Sequence, residues 1–258
     1  MSSPKPILAL VPGSFNPSSV YAPLLVTFTS HGYAAHPIDL RTVGKKPGSP
    51  PSMYDDAAHI NSELAKLADE GEEIVLVGHS YGGIPVSESI KGVSKAEREK
   101  MGKKGGVVRV AYMTALVPEV GGNAASALEG GPSGYTDVGE DGWMTHPDPA
   151  LTAKYAFSDL PLSEGTKWVK TFSEHSAISF ANELTYAGYK DVPVSYLFCE
   201  ADECVIPAAQ QRAIDVIEKA NGGKVDVTRI KSDHCPNVSH PEMVVDWFVG
   251  LVEKGGKE

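Results

Sequence analysis

The stretch "EEIVLVGHSYGGIPVSES", residues 72–89, constrains the fold more than any other segment of the chain. Four consecutive apolar residues, Ile74–Val77, run directly into Gly78-His79-Ser80-Tyr81-Gly82-Gly83. An apolar run of this length without alternation fits a strand covered on both faces, as in parallel sheets packed between helices. Glycines flanking Ser80 allow a strand-to-helix turn so tight that side chains there would strike neighbouring backbone. A serine at such a turn adopts a strained backbone and lifts its hydroxyl above the sheet. Pro85 falls early in the expected helix and removes one backbone donor. Gly-x-Ser-x-Gly alone also arises in inert turns, so its meaning rests on what the rest of the chain supplies. Phosphate loops do not fit, because no Gly-Lys-Ser/Thr ending and no G-x-G-x-x-G is present.

Five further apolar runs share the strand character of Ile74–Val77: Ile7–Val11, Ala34–Ile38, Val107–Met113, Val192–Phe198 and Val225–Ile230. Helical patterns fall between them at Ser18–Ser30, Asp55–Asp69 and Ala208–Ala220, and a last helix is expected from His240 to about Lys254. Ser239 with Glu242 three residues on reads as a capping box for that helix, with Pro241 in its first turn. Alternating β and α units imply an α/β fold, a doubly wound, mostly parallel sheet of about six strands. Residues 118–190 break the rhythm. They contain no convincing strand, open with a glycine-rich segment, and then show helical patterns near Ala150–Phe157, Ser163–Phe172 and His175–Leu184. This interval is too long for an ordinary crossover and reads as an insertion folded over the sheet before its penultimate strand. The expected organisation is a core of residues 1–117 and 191–258 with residues 118–190 as a cap.

A net charge of −10 disfavours nucleic acid and anionic membrane surfaces as partners, since both are polyanions. No run approaches the roughly 18 apolar residues of a membrane span, and the short apolar start ends at Pro12-Gly13, unlike a secretory signal. Three cysteines, Cys199, Cys204 and Cys235, form no CxxC pair, so reduced thiols in a cytoplasmic protein are expected, with a Cys199–Cys204 bridge left open. The basic run at 91–106 carries Glu97 and Glu99 and reads as a solvated surface segment. A small molecule is the expected partner, and a homodimer is left open.

A serine hydroxyl is a poor nucleophile near neutral pH and needs a base, which in turn needs an orienting acid. Among eight histidines, His234 in "KSDHCPNVSHPEMVVDWF" falls between the last strand and the final helix, at the sheet's carboxyl edge where ligands gather. His31, His36, His59 and His146 are assigned to surface or packing, His240 to the start of the last helix, and His79 points away from the hydroxyl. Asp202, just past the strand "VPVSYLFCE", is the candidate acid, with Glu200, Glu203 and the more distant Glu119 as alternatives. The amide of Tyr81 and that of Ser14 in "VPGSF" are the candidate oxyanion donors, Phe15 being second to Ser14. Phe15, Trp143 and Tyr155 are candidates for the substrate wall; Tyr135, Phe157 and Trp168 are the other aromatic residues considered from the cap. No metal or organic cofactor is needed for such chemistry.

With Ser80, Asp202 and His234 in this order, the sequence resembles the α/β-hydrolase superfamily from Ile7 to about Val252. It is most similar to the compact six-stranded group of plant methylesterases, hydroxynitrile lyases and short microbial hydrolases. Beyond the turn Gly78–Gly82, a nucleophile elbow in that superfamily, "LVPGSF", "TYAGYKDVPVSYLFCEADECVIPAAQQ" and "SDHCPNVSHPEMVV" carry the resemblance. It implies a serine hydrolase acting on a carboxylic ester, lactone or thioester of a small, moderately hydrophobic substrate, with residues 118–190 as its cap. Two alternatives remain: a lyase, C–C hydrolase or cyclase of polyketide-like metabolites using the same triad, or a ligand-binding protein on this fold. The group's usual His-Gly after the first strand is Pro12-Gly13 here. The plant lyases put threonine at the position of Gly13 and lysine at that of Cys235, which lowers the lyase reading. A serine nucleophile also disfavours the epoxide hydrolases and haloalkane dehalogenases, which use aspartate.

Overall fold

The structure, a computed structural model, describes residues 5–257. Its strands in chain order are β1 (Ile7–Val11), β2 (Ala35–Pro37), β3 (Glu73–His79), β4 (Gly106–Met113), β5 (Asp137–Val138), β6 (Trp143–Thr145), β7 (His175–Ser176), β8 (Val194–Cys199) and β9 (Asp226–Ile230). Six of them form one sheet in the order β2-β1-β3-β4-β8-β9, with every neighbouring pair parallel. All six correspond to the apolar runs read from the sequence. The chain leaves β1 for one side of the sheet and returns at β3 on the other, so the crevice between their carboxyl ends is the topological switch point.

Alternate residues of the central strands feed two separate cores. Ala9, Val11, Ile74, Leu76, Val110 and Tyr112 pack against Ile60 and Leu64 of the helix Met53–Asp69 and Ile214 and Ile217 of the helix Pro207–Asn221. Leu8, Leu10, Val75, Val77, Ala111 and Met113 pack against Leu24 and Phe28 of the helix Ala22–Ser30 and Phe248 and Leu251 of the helix Pro241–Lys254. Both faces are apolar because both are covered, which is why the runs do not alternate. Arg98 departs from the expected solvated basic segment: it is buried and pairs with Asp69.

Three expectations need correction. Residues 118–190 do contain strands, the small antiparallel sheet β5-β6-β7. Its strands are two or three residues long and hold no apolar run, and glycines make the β5–β6 turn, where Gly139 N–H bonds Trp143 O. The pattern at His175–Leu184 is split rather than one helix: β7 takes His175 and Ser176, and a single turn covers Ile178–Ala181. Long-range bonds override local propensity there, with Ser176 Oγ donating to Pro51 O and Asn182 Oδ1 accepting Met53 N–H. The capping box at Ser239 is not made, because Ser239 Oγ donates to Asp233 Oδ1 at 2.6 Å and His240 occupies the N-cap.

Candidate active site

Ser80 follows β3 with φ 53, the left-handed region that a non-glycine residue rarely adopts. The surrounding glycines are required by space. A Cβ on Gly82 would lie 2.4 Å from Pro12 O, and one on Gly83 2.6 Å from Leu116 O. The elbow is thus wedged between the ends of β1 and β4. Its serine meets the imidazole of His234, whose Nε2 lies 2.9 Å from Ser80 Oγ. His234 Nδ1 lies 2.7 Å from Asp202 Oδ2. A carboxylate only accepts, so Nδ1 carries the proton and Nε2 presents its lone pair to the serine hydroxyl. Asp202 is 2% exposed and also accepts N–H bonds from Cys204 and Val205, at 2.7 and 2.9 Å, and the Thr114 hydroxyl. Glu119, Glu200 and Glu203 are exposed, and none is hydrogen-bonded to His234.

His79, between Gly78 and Ser80, works under the site. Its Nε2 donates to the backbone carbonyl of His234 at 2.9 Å, and its Nδ1 accepts the Tyr21 hydroxyl at 2.5 Å. Tyr21 in turn accepts the Gly13 N–H. One buried chain of bonds therefore joins the loop after β1, the elbow and the loop of His234. Burial, with nearby His234 adding to it, presses the pKa of His79 down to about 3, so it stays a neutral bridge.

The Phe15 N–H donates to His175 Nδ1 at 3.3 Å, which leaves Ser14 as the oxyanion candidate from this loop. Tyr81 is anchored at its far end, where its hydroxyl donates to buried Asp56 at 3.0 Å. Burial raises the Asp56 pKa to about 6 against the opposing bonds from Thr42 and Tyr81.

Above Ser80 lies a cavity of about 310 Å³. Ser14, Phe15, Tyr81, His234 and Tyr135 line it, as expected or considered. Trp143 and Tyr155 do not line it and are corrected. The alternation of β6 gives the cavity Met144 and turns Trp143 away, while the helix Pro149–Ala156 presents Thr152 and Ala156 and leaves Tyr155 to pack on Tyr135. His146, assigned to surface or packing, does pack, against Phe15, Tyr135 and Phe172, and it also lines the cavity. His175 and Asn16 were not singled out at all.

The statistical model of the alpha/beta hydrolase family matches residues 8–247. The chain belongs to the α/β-hydrolase family. This α/β-hydrolase is 35% identical over 243 residues to the probable hydrolase R7 of a Phoma species, covering 94% of this chain and 96% of that one. It is 26% identical to the alpha/beta hydrolase nvfD of Aspergillus novofumigatus, covering 93% and 94%. A crystal structure of a pyrethroid hydrolase from Sphingobium faniae shares its fold with a TM-score of 0.74, at 21% identity over 98% of this chain and 99% of the other. The α/β-hydrolase fold expected from the motifs is therefore the fold found, and the chain is an enzyme of hydrolase type. Among the described residues no helix is long and apolar enough to cross a membrane.

Proposed function

We propose that this α/β-hydrolase cleaves a carboxylic ester, lactone or thioester of a small, moderately hydrophobic substrate through an acyl-enzyme on Ser80. The observation that carries the reading is the run of contacts Ser80–His234–Asp202 at 2.9 and 2.7 Å, buried at the floor of the cavity. Ser80 Oγ attacks the carbonyl carbon while His234 Nε2 takes its proton, and Asp202 stabilises the imidazolium that results. The carbonyl oxygen becomes an oxyanion facing the amides of Ser14 and Tyr81. As the intermediate collapses, the bond to the leaving alcohol or thiol breaks and His234 returns the proton to it. Water, deprotonated by His234, then attacks the acyl carbon, and Ser80 leaves with its proton restored. Residues 118–190 act as the cap, a role supported by Tyr135, His146 and Phe172 in the cavity wall. A cytoplasmic location belongs to the same reading, supported by the three buried, unpaired thiols.

The test combines a fluorophosphonate probe with p-nitrophenyl esters of increasing acyl length. Ser80 is expected to be the labelled residue by mass spectrometry, with labelling and ester turnover both lost in Ser80→Ala. Turnover surviving in Ser80→Ala would end the acyl-enzyme reading and move the chemistry to proton transfer by His234 alone.

A further inference from the structure

His175 is fully buried and does not line the cavity. Its imidazole nevertheless meets the residue after Ser14 on one side and Tyr81 on the other. Nδ1 accepts the Phe15 N–H at 3.3 Å, with the two rings 5.3 Å apart between centroids. The Tyr81 ring stands T-shaped to the imidazole at 4.7 Å. Phe180 completes the cluster, 5.4 Å from His175 and stacked on Tyr81 at 5.2 Å.

These bonds decide the tautomer. An amide N–H only donates, so Nδ1 is bare and Nε2 carries the proton. Nε2 donates to Ser179 Oγ at 3.0 Å, and that hydroxyl donates to Ser176 O at 2.8 Å, so both ring nitrogens are satisfied. Burial presses the pKa of His175 to about 3, which keeps the ring a neutral acceptor at pH 7. The imidazole is itself anchored, because β7 pairs with β6 at Met144 and His175 bridges to Val43. Phe15 is the strained partner. Its φ of 65 is costly for a non-glycine residue, and both its polar groups are clasped, the carbonyl accepting the Ser173 N–H at 2.8 Å. The Phe15 N–H shares a peptide plane with the Ser14 carbonyl, so the bond to His175 fixes the torsion beside the Ser14 amide. An apolar residue at 175 would fill the same space and leave that plane free to turn.

We propose that His175 is a positioning residue, which holds the Ser14 and Tyr81 amides at the separation an oxyanion requires, through the Phe15 N–H and the Tyr81 ring. The inference rests on the acyl-enzyme reading and adds to it a residue outside the cavity. It gives the segment 173–180 a part in the chemistry beyond covering the site. Removing the acceptor at 175 costs transition-state stabilisation and leaves substrate binding as it is.

The experiment joins spectroscopy of the wild-type protein to kinetics of two variants. In nitrogen NMR, His175 is expected to show a protonated Nε2 and a bare Nδ1; a protonated Nδ1 overturns the proposal without any variant. His175→Phe keeps a ring and removes the acceptor. Its kcat on p-nitrophenyl butyrate is expected to fall about tenfold to a hundredfold, with KM within about twofold of wild type. His175→Asn, whose Oδ1 stands where Nδ1 stood, is expected to keep kcat within about threefold. A loss there beyond about tenfold overturns the proposal whether or not His175→Phe folds. Trifluoromethyl pentyl ketone adds Ser80 Oγ to its carbonyl carbon, the serine proton passing to His234 and the carbonyl oxygen becoming an oxyanion. Its affinity is expected to fall in His175→Phe by the same factor as kcat, while methyl pentyl ketone, bound without that adduct, keeps its affinity. Equal losses for both ketones would reveal general damage and overturn the positioning role. Full kcat in His175→Phe, beside an active wild type, overturns that role alone. A wild type that neither turns over esters nor labels at Ser80 instead ends the acyl-enzyme reading, and the role of His175 with it.

Discussion

Gly82→Ala tests whether the turn at Ser80 and the loop after β1, proposed to supply the Ser14 amide, are one mechanical unit. Gly82 has φ −53 and ψ −21, a conformation alanine adopts freely, so backbone strain does not enter. Gly82 is the N-cap of the helix Gly83–Ser89, where alanine in place of glycine costs a few tenths to about 1 kcal/mol, so a larger loss is due to space. The added Cβ falls 2.4 Å from Pro12 O and 3.1 Å from Val11 O, both backbone atoms that cannot rotate aside. Pro12 O has to retreat by about 1 Å to reach ordinary contact, and it carries Gly13 and Ser14 with it. A misplacement of about 1 Å in a catalytic group costs about a hundredfold in rate. Overpacking of this kind costs about 1–3 kcal/mol in stability, which for a chain of this size lowers Tm by about 2–4 °C per kcal/mol. The assay is kcat/KM on p-nitrophenyl butyrate beside a thermal melt. Gly250→Ala is the control, since apart from its own helix backbone and chain neighbours no atom lies within 4 Å of the Cβ it would add; it is expected to melt slightly higher with full activity. Gly82→Ala with wild-type kcat/KM and an unchanged or raised Tm would refute the coupling.

Asp202→Asn keeps the shape but turns an amide NH₂ toward a site where His234, Thr114, Cys204 and Val205 all donate; kcat is expected to fall by about 10⁴-fold, and a loss under tenfold would mean another acid orients His234. His79, His146 and His175 are held neutral with pKa values near 3, 4 and 3, so the stability they contribute is full above about pH 6.5 and is lost as pH falls toward those values. Asp56, raised to about 6, works in the opposite direction, but three groups outweigh one: the urea midpoint is expected to drop between pH 7 and 5, less steeply in His175→Gln, and equal midpoints would contradict the assignment. The backbone N–H of Asp233 and that of Asp159 each donate to the other residue's carboxylate, at 2.9 and 3.1 Å, tying residue 159 to the residue before His234; Asp159→Ala is expected to cost about 1 kcal/mol and to speed amide exchange at 157–160 and 231–234 together, and protection unchanged at the second segment would show no tie. Ser80→Gly is expected to be more stable than Ser80→Ala by about 1 kcal/mol, because only glycine relieves φ 53; the reverse order would deny strain at Ser80.

What was legible follows from how locally each feature is encoded. The four inner strands of the main sheet, β1, β3, β4 and β8, are largely buried and mostly apolar on both faces, so their runs announced themselves, and Ile7–Val11 matches to the residue. Ser80, Asp202 and His234 were readable because each follows a strand of that sheet, and chain order then fixes which ends converge. Residues 118–190 offered no such frame. Trp143 and Met144 are equally apolar neighbours, and only the pairing of β6 with β7 decides which one faces the cavity. His175 carries no local signal either, since its significance comes from an amide 160 positions away, that of Phe15.

Among the described residues, non-glycine residues with positive φ are Phe15, Ser80 and Thr114, and all three belong to the site. Left-handed backbone costs about 1–3 kcal/mol for such residues and persists only where the surroundings over-determine it. Each of the three is held by bonds from a distant segment. Phe15 N–H reaches His175 while its carbonyl accepts Ser173 N–H; Ser80 O accepts Leu116 N–H; Thr114 donates its N–H to Leu197 and its hydroxyl to Asp202. In the proposed mechanism the three positions serve different parts of one geometry: the loop that offers Ser14, the serine itself and the anchor of Asp202. Strain therefore sits where a relaxed backbone would turn the reacting groups apart. The buried chain Gly13–Tyr21–His79–His234 crosses between those same loops, and it consists of neutral groups whose polar atoms are satisfied by one another. A charged bridge there would shift the field at His234 with pH. A neutral one holds the loops together without competing for the proton that the proposed mechanism has His234 move.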